Sequence, residues 1–193
     1  MAKRSYQVRV LAGQFKGRRL KYPDAPTVRP TMQRTKESVF ASLAGEVAGA
    51  MFIDLYAGAG GIGIEAISRG AAFVHFVECG RAALDCLREN LARCGIARDR
   101  FRVHAADAFD FLGAAASRDI RPNLVYADPP YAVDPGVLLE FLARIDYPPG
   151  GLVVLEHPKK VMPAAPGGFA RFRLKTFGQT QVSFFVRAEG EVL

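Results

Sequence analysis

From Met51 onward, short apolar runs alternate with stretches of helical spacing. Met51–Tyr56 reads as a strand, followed by a helix over Ile62–Ser68 that Gly70 closes. The unit repeats as a strand over Phe73–Glu78, a helix over Arg81–Cys94 closed by Gly95, and a strand over Arg102–Ala105. A short helix at Ala108–Leu112, a strand at Asn123–Ala127, a helix at Gly136–Arg144 and a strand at Gly151–Glu156 follow. Such alternation predicts an α/β domain, a mostly parallel sheet with helices on both faces. The end differs. Phe172–Phe177 and Gln181–Arg187 flank Gly178 with no helix between them, which predicts an antiparallel hairpin at the sheet edge. The sheet then has seven strands.

The first fifty residues have another texture. Tyr6–Leu11 and Arg18–Lys21 read as two short strands joined through Gly13 and Gly17. A loop punctuated by Pro23, Pro26 and Pro30 leads to a helix capped by Thr31 or Thr35 and running to about Leu43. The expected division is a basic β-hairpin arm over 1–36 and a main domain over 37–193.

The chain has 193 residues, 50% of them hydrophobic, enough for one core without disulfide or metal staples. It has no apolar run of about 18 residues and no signal-peptide pattern, so neither a membrane span nor secretion is expected. Cys79, Cys86 and Cys94 lack the spacing of a disulfide framework or zinc site. A monomer in a reducing, cytoplasmic setting, holding no metal, is the expectation. The net charge of +7 is lopsided: residues 1–36 carry ten bases against Asp24 alone, and the remaining 157 residues sum to −2. Clustered bases gain from neutralising phosphates and releasing counterions, so a polyanion partner is favoured over a merely solvated arm. Arg9, Lys16, Arg18, Arg19, Arg29 and Arg34 are the candidate contacts to a nucleic-acid backbone.

Between the first strand of the main domain and its helix lies Asp54-Leu55-Tyr56-Ala57-Gly58-Ala59-Gly60-Gly61-Ile62-Gly63. Gly58, Gly60 and Gly63 satisfy GxGxxG, a turn that lets backbone approach a ligand and presents N–H groups at a helix N-terminus. Glu78, ending the second strand, is placed to accept bonds from ribose hydroxyls. An NAD-dependent oxidoreductase would share both features, and a purely structural turn also would. Asp54 tips the choice, because a carboxylate there repels pyrophosphate but suits the cationic methionine end of S-adenosylmethionine. Asp107 could accept the adenine amine while the Ala108 N–H meets a ring nitrogen; a plain helix cap is the alternative.

The fourth strand runs into Asp128-Pro129-Pro130-Tyr131, at the carboxyl edge where open α/β sheets bind ligands. Two prolines fix the backbone and remove two N–H donors, leaving only acceptors: the Asp128 carboxylate and a proline carbonyl. Such a corner can grip the two hydrogens of an exocyclic base amine, while Tyr131 stacks on the base. An ordinary turn is the alternative. His75, His104 and His157 lie on different strands without metal-ligand spacing.

With these residues in view, the chain resembles the RsmD-like methyltransferases, which methylate the exocyclic amine of one guanine in bacterial small-subunit ribosomal RNA. The resemblance rests on Arg9–Leu20, Arg29-Pro30-Thr31, Arg34–Phe40, Asp54–Gly63, Glu65-Ala66, Ser68–Ala71, Glu78 and Asp128–Tyr131. Gly80 stands where family members often carry an acid. The resemblance implies a Rossmann-like class I methyltransferase fold with a small N-terminal hairpin and S-adenosylmethionine as donor. It also implies an assembled ribosomal particle as substrate, and roles for Arg29, Thr31 and Arg34 in ordering the loop over the site. Asp128, Pro129, Pro130 and Tyr131 are the expected catalytic residues. Asp54, Tyr56, Ala57, Gly58, Gly60, Gly63, Glu78, Cys79, Asp107, Ala108 and Thr31 are those expected at the cofactor. A DNA adenine-N6 methyltransferase would share the corner and remains the nearest alternative; a non-catalytic RNA-binding factor on the same fold is another.

Overall fold

Residues 8–23, 33–115 and 119–188 are described in the computed structural model. The arm forms a two-stranded antiparallel ladder of β1 (Val8–Arg9) and β2 (Arg19–Leu20). The helices are α1 (Gln33–Ser42), α2 (Gly61–Ser68), α3 (Arg81–Cys94), α4 (Ala108–Ala115) and α5 (Pro135–Leu142). The sheet comprises β3 (Met51–Leu55), β4 (Phe73–Glu78), β5 (Phe101–Ala105), β6 (Leu124–Ala127), β7 (Leu152–Pro158), β8 (Phe169–Phe177) and β9 (Thr180–Arg187). Their spatial order is β5-β4-β3-β6-β7-β9-β8. The first five pair in parallel, while β9 pairs antiparallel with both β7 and β8. This is the fold class expected from the sequence.

Strands buried on both faces read as continuous apolar runs, which is why the pattern revealed them. Phe52, Leu124 and Val154 face one core with Phe40 of α1, Ile64 of α2 and Leu87 of α3. Ile53, Val125 and Val153 face the other, with Phe111 of α4 and Leu138 of α5. After β5 the chain crosses back to pair β6 with β3, so a crevice opens at the carboxyl ends of β3 and β6.

Val10, Phe15 and Leu20 of the arm belong to the same core as α1, α2 and α3. The docking is also polar. Glu65 of α2, fully buried, accepts from the Leu11 N–H at 2.7 Å and the Ala12 N–H at 3.0 Å. It also pairs with Lys36 Nζ at 3.2 Å and Arg69 Nε at 2.8 Å. Lys36 in turn donates to the Arg9 carbonyl at 2.7 Å. Burial pulls the Lys36 ammonium below its usual range, against the opposing pull of Glu65.

Some expectations are corrected. Lys36, counted among the bases of the arm, is only 1% exposed and its charge is spent on Glu65. Thr35 lies inside α1 and is buried, so it does not cap that helix; Thr31 falls outside the described residues. β8 starts at Phe169, because a bulge between Arg171 and Arg173 breaks its two-residue alternation, and β9 starts one residue early, at Thr180. His75 and His104 meet across β4 and β5, with Nδ1 and Nε2 2.9 Å apart. Burial and the His104 ring hold His75 down at about 4. Among the described residues there is no cluster of three metal-ligating side chains and no helix long and apolar enough to cross a membrane.

Candidate active site

Asp54 precedes the last residue of β3 and Asp128 follows β6, so pairing of these strands brings both carboxylates to one end of the sheet. They line a small cleft together with Tyr22, Tyr56, Ala57, Gly58 and Tyr126. The glycine turn encloses one side. Gly63 sits so close to Phe76 of β4 that a Cβ would lie 2.2 Å from the ring, which seats α2 tightly on the sheet. Gly60 takes φ +85 at the entry to α2, a conformation that disfavours side chains.

The three motif glycines, Gly58, Gly60 and Gly63, do not present their N–H groups to the cleft, contrary to the expectation for a phosphate cradle. Gly58 donates to Glu78 Oε2 at 2.8 Å, Gly60 to the Ala57 carbonyl at 2.8 Å and Gly63 to Asp54 Oδ2 at 2.8 Å. Committed donors of this kind are poorly suited to pyrophosphate, and two carboxylates beside them oppose it further. Glu78 is anchored at its other oxygen by the Gly80 N–H at 2.7 Å.

Asp54 is 2% exposed. Burial pushes its carboxyl up to about 7; the Gly63 N–H opposes this, and the Glu78 and Asp128 charges add to it. A cation entering the cleft would relieve that penalty. Tyr56 supplies a second polar group. It holds φ +65 at the end of β3, a strained setting costing roughly 1–3 kcal/mol for a non-glycine residue. Its buried hydroxyl has no hydrogen-bond partner among the described residues. An orphaned hydroxyl, a paired set of carboxylates and close glycine backbone fit a polar, positively charged cofactor.

On the adenine side of the expected cofactor site, Asp107 Oδ1 accepts from the Phe109 N–H at 2.8 Å, so this residue does cap α4. Asp107 and Cys79 are exposed and both act on the Tyr56 hydroxyl, while Ala108 is buried in the first turn of α4. After Asp128, Pro129 is half-buried and Pro130 exposed, and neither is among the residues that line the cleft. Tyr131 is 62% exposed. Arg9, Lys16, Arg18 and Arg19 are exposed on the arm and Arg34 on α1. Arg18 has a structural tie as well, donating to the Arg93 carbonyl at the end of α3 at 2.6 Å. Arg29 and Thr31 lie outside the described residues.

Three features escaped the sequence. Asn90 of α3, fully buried, bonds both the N–H and the carbonyl of Lys21 and reaches the Ala59 carbonyl at 2.9 Å. That clamp ties the arm to the glycine turn and places Tyr22 in the cleft, where its hydroxyl sits against Gly61. Beneath the corner, the buried Tyr126 hydroxyl donates to Glu156 of β7. Burial, then the Asp128 charge, pushes Glu156 up to about 8. Proton loss from Glu156 is thereby disfavoured beneath Asp128. No spacing rule links 22, 90, 126 and 156; only the folded topology does.

The family model described as Conserved hypothetical protein 95 matches residues 8–186. The chain belongs to that family. The Escherichia coli (strain K12) protein named ribosomal RNA small subunit methyltransferase D is 33% identical, over 97% of this chain and 94% of its own. An Escherichia coli structure, yhhF, superposes with a TM-score of 0.82 at 29% identity, covering 94% of this chain and 98% of that one. A hypothetical protein from Thermus thermophilus gives 0.79 at 30% identity, over 92% and 98%. The fold extends to SMU.776, solved in complex with SAH, with a TM-score of 0.68 at 12% identity over 83% and 50%. The RsmD-like resemblance of the sequence therefore holds along nearly the whole chain.

Proposed function

We propose that this protein transfers the methyl group of S-adenosylmethionine to the exocyclic N2 amine of a guanine in small-subunit (16S) ribosomal RNA, presented in an assembled particle. The observation that carries this reading is the sharing of one cleft by Asp54, the glycine turn and Asp128, the first residue of the Asp-Pro-Pro-Tyr corner. The name of the Escherichia coli relative supports ribosomal RNA as the substrate.

Asp54, Tyr56 and the backbone around Gly58 would hold the donor, with Glu78 and Asp107 at its ribose and adenine. The donor supplies an electrophilic methyl on a sulfonium. Asp128 and a proline carbonyl accept the two hydrogens of the amine and orient its nitrogen toward that methyl. Tyr131 holds the plane of the base by stacking. As the N–CH3 bond forms and the S–CH3 bond breaks, the amine acidifies and its proton passes to Asp128 or to solvent. Burial and the Asp128 charge both disfavour ionisation of Glu156, so a negative charge is better held on Asp128, where positive charge develops on the nitrogen. The guanine must be unpaired or flipped, since pairing and stacking hide the amine.

The raised Asp54 fixes the sign of the pH dependence. A bound cation favours the carboxylate, so below about pH 7 donor binding releases a proton and tightens as pH rises. Calorimetry between pH 5.5 and 8 is expected to show affinity climbing and then levelling near pH 7. In Asp54→Asn the climb is lost. Substrate class is tested by offering labelled donor with small ribosomal subunits, naked 16S rRNA and duplex DNA. Label on subunits in preference to the other two is expected; preference for duplex DNA overturns the reading.

A further inference from the structure

The charge outside the arm is itself uneven. Residues 37–156 hold ten bases against sixteen acids, whereas residues 157–188 hold six bases and no acid. Three of the six are tied into the fold. Arg171 Nη1 donates to the Pro163 carbonyl at 3.1 Å, and Lys175 Nζ to the Ser38 hydroxyl at 2.9 Å. The Arg187 guanidinium lies 5.4 Å over the Phe169 ring. The other three, Lys159, Lys160 and Arg173, are exposed.

Their placement matters more than their number. β7 outruns β6: Leu155 pairs with Ala127, the last residue of β6, and β7 continues to Pro158. At about 3.3 Å per residue, Lys159 stands roughly 13 Å past that pairing, at the end of the sheet that carries Asp128. The Lys159 N–H donates to the Gln179 carbonyl at 2.8 Å, which fixes this turn against the β8–β9 connection. The arm docks on α2 and α3, the helices that follow β3 and β4, whereas β7 lies beyond β6. In the order of the sheet the two basic blocks therefore lie on opposite sides of β6, the strand that Asp128 follows, with the tip of the arm at Phe15 and Arg18 tied to the far ends of α2 and α3.

β8 is an edge strand, and Phe172 at its bulge is 47% exposed with the Arg173 guanidinium 5.7 Å over its ring. Edge strands carry charges to block pairing with other chains. Lys159 and Lys160 lie off the edge ladder, in the turn after β7, so edge protection does not account for them. A charge-matched protein partner would meet only bases, whereas a phosphate backbone complements all of them and an unstacked base suits the exposed ring.

We propose that Lys159, Lys160 and Arg173 form a second phosphate-contacting surface, holding the substrate RNA on the far side of the Asp128 corner from the arm, with Phe172 offered to an unstacked base. The inference rests on the ribosomal RNA reading above and gives the RNA around the flipped guanine a contact at the carboxyl end of the sheet, on the β7 side of Asp128.

The test is the full-length variant K159A/K160A/R173A, compared with the unsubstituted protein for binding to naked 16S rRNA and to small subunits across a salt series. Affinity for both is expected to fall at least tenfold at about 0.1 M salt. The logarithmic salt slope is expected to become shallower by about two, near 0.7 per single-strand phosphate contact. Donor affinity and thermal midpoint stay unchanged, and the loss in transfer enters through KM rather than kcat. Unchanged RNA affinity and slope overturn the proposal. So does a loss confined to subunits with an unchanged slope, which marks a protein contact. If the unsubstituted protein binds RNA through these residues but labels no RNA, the catalytic reading fails and this surface stands.

Discussion

Asp128→Ala is expected to lower methyl transfer by roughly 10²–10³-fold, the usual cost of removing one preorganised electrostatic contact at a reacting centre. Donor affinity stays within an order of magnitude. The reasoning is geometric: the two prolines contribute no N–H, and the Pro130 carbonyl already accepts from the Val133 N–H at 2.9 Å, so removing the carboxylate leaves the Pro129 carbonyl to orient the amine. Because Asp128 helps to raise both Asp54 and Glu156, its loss also lets those two ionise more readily. Donor affinity in Asp128→Ala is accordingly expected to level at a lower pH than in the unsubstituted protein. Single-turnover transfer with saturating donor, beside calorimetry of donor binding, separates the two effects. Full activity in the variant contradicts the mechanism.

Glu65→Ala carries the largest expected effect on stability. Glu65 receives two arm N–H groups, Lys36 and Arg69 within a site closed to water. Removing it strands a buried ammonium and two backbone donors, and breaking a buried pair in this way costs about 3–5 kcal/mol. The unfolding midpoint in urea is expected to drop accordingly. Limited proteolysis is expected to cut within residues 8–23 before the sheet is touched. Because the Asn90 clamp on Lys21 also places Tyr22, a loosened arm is expected to weaken donor binding as well as RNA binding. A variant with unaltered stability contradicts the lock.

What could be read from the chain follows its physics. The parallel strands were legible because burial on both faces leaves uninterrupted apolar runs, and the glycine turn because its spacing is local. Elements at the edge were less so: the bulge at Phe172 disrupts the alternation that would have extended β8 back to Phe169. Pairings distant in sequence left no trace. Lys36 looked like one more base of a cationic arm until its contact with Glu65, 29 positions on, placed it in the core. Tyr126 and Glu156 looked like ordinary strand residues, and only the β6–β7 register sets them beneath the corner. The acid-free stretch of 157–188 was hidden by summing it with an acidic middle. The family blocks Arg34–Phe40 and Glu65-Ala66 now have a physical reading, since they build the joint between arm and body.

The central claim is that the Asp128 corner orients an exocyclic guanine amine. Its most direct test is the identity of the methylated nucleoside, after labelled transfer to unmodified small subunits and digestion of the RNA. N2-methylguanosine, absent when Asp128→Ala replaces the unsubstituted protein, is the predicted result. Label recovered on a ring carbon, on a ribose hydroxyl or on adenine N6 contradicts it.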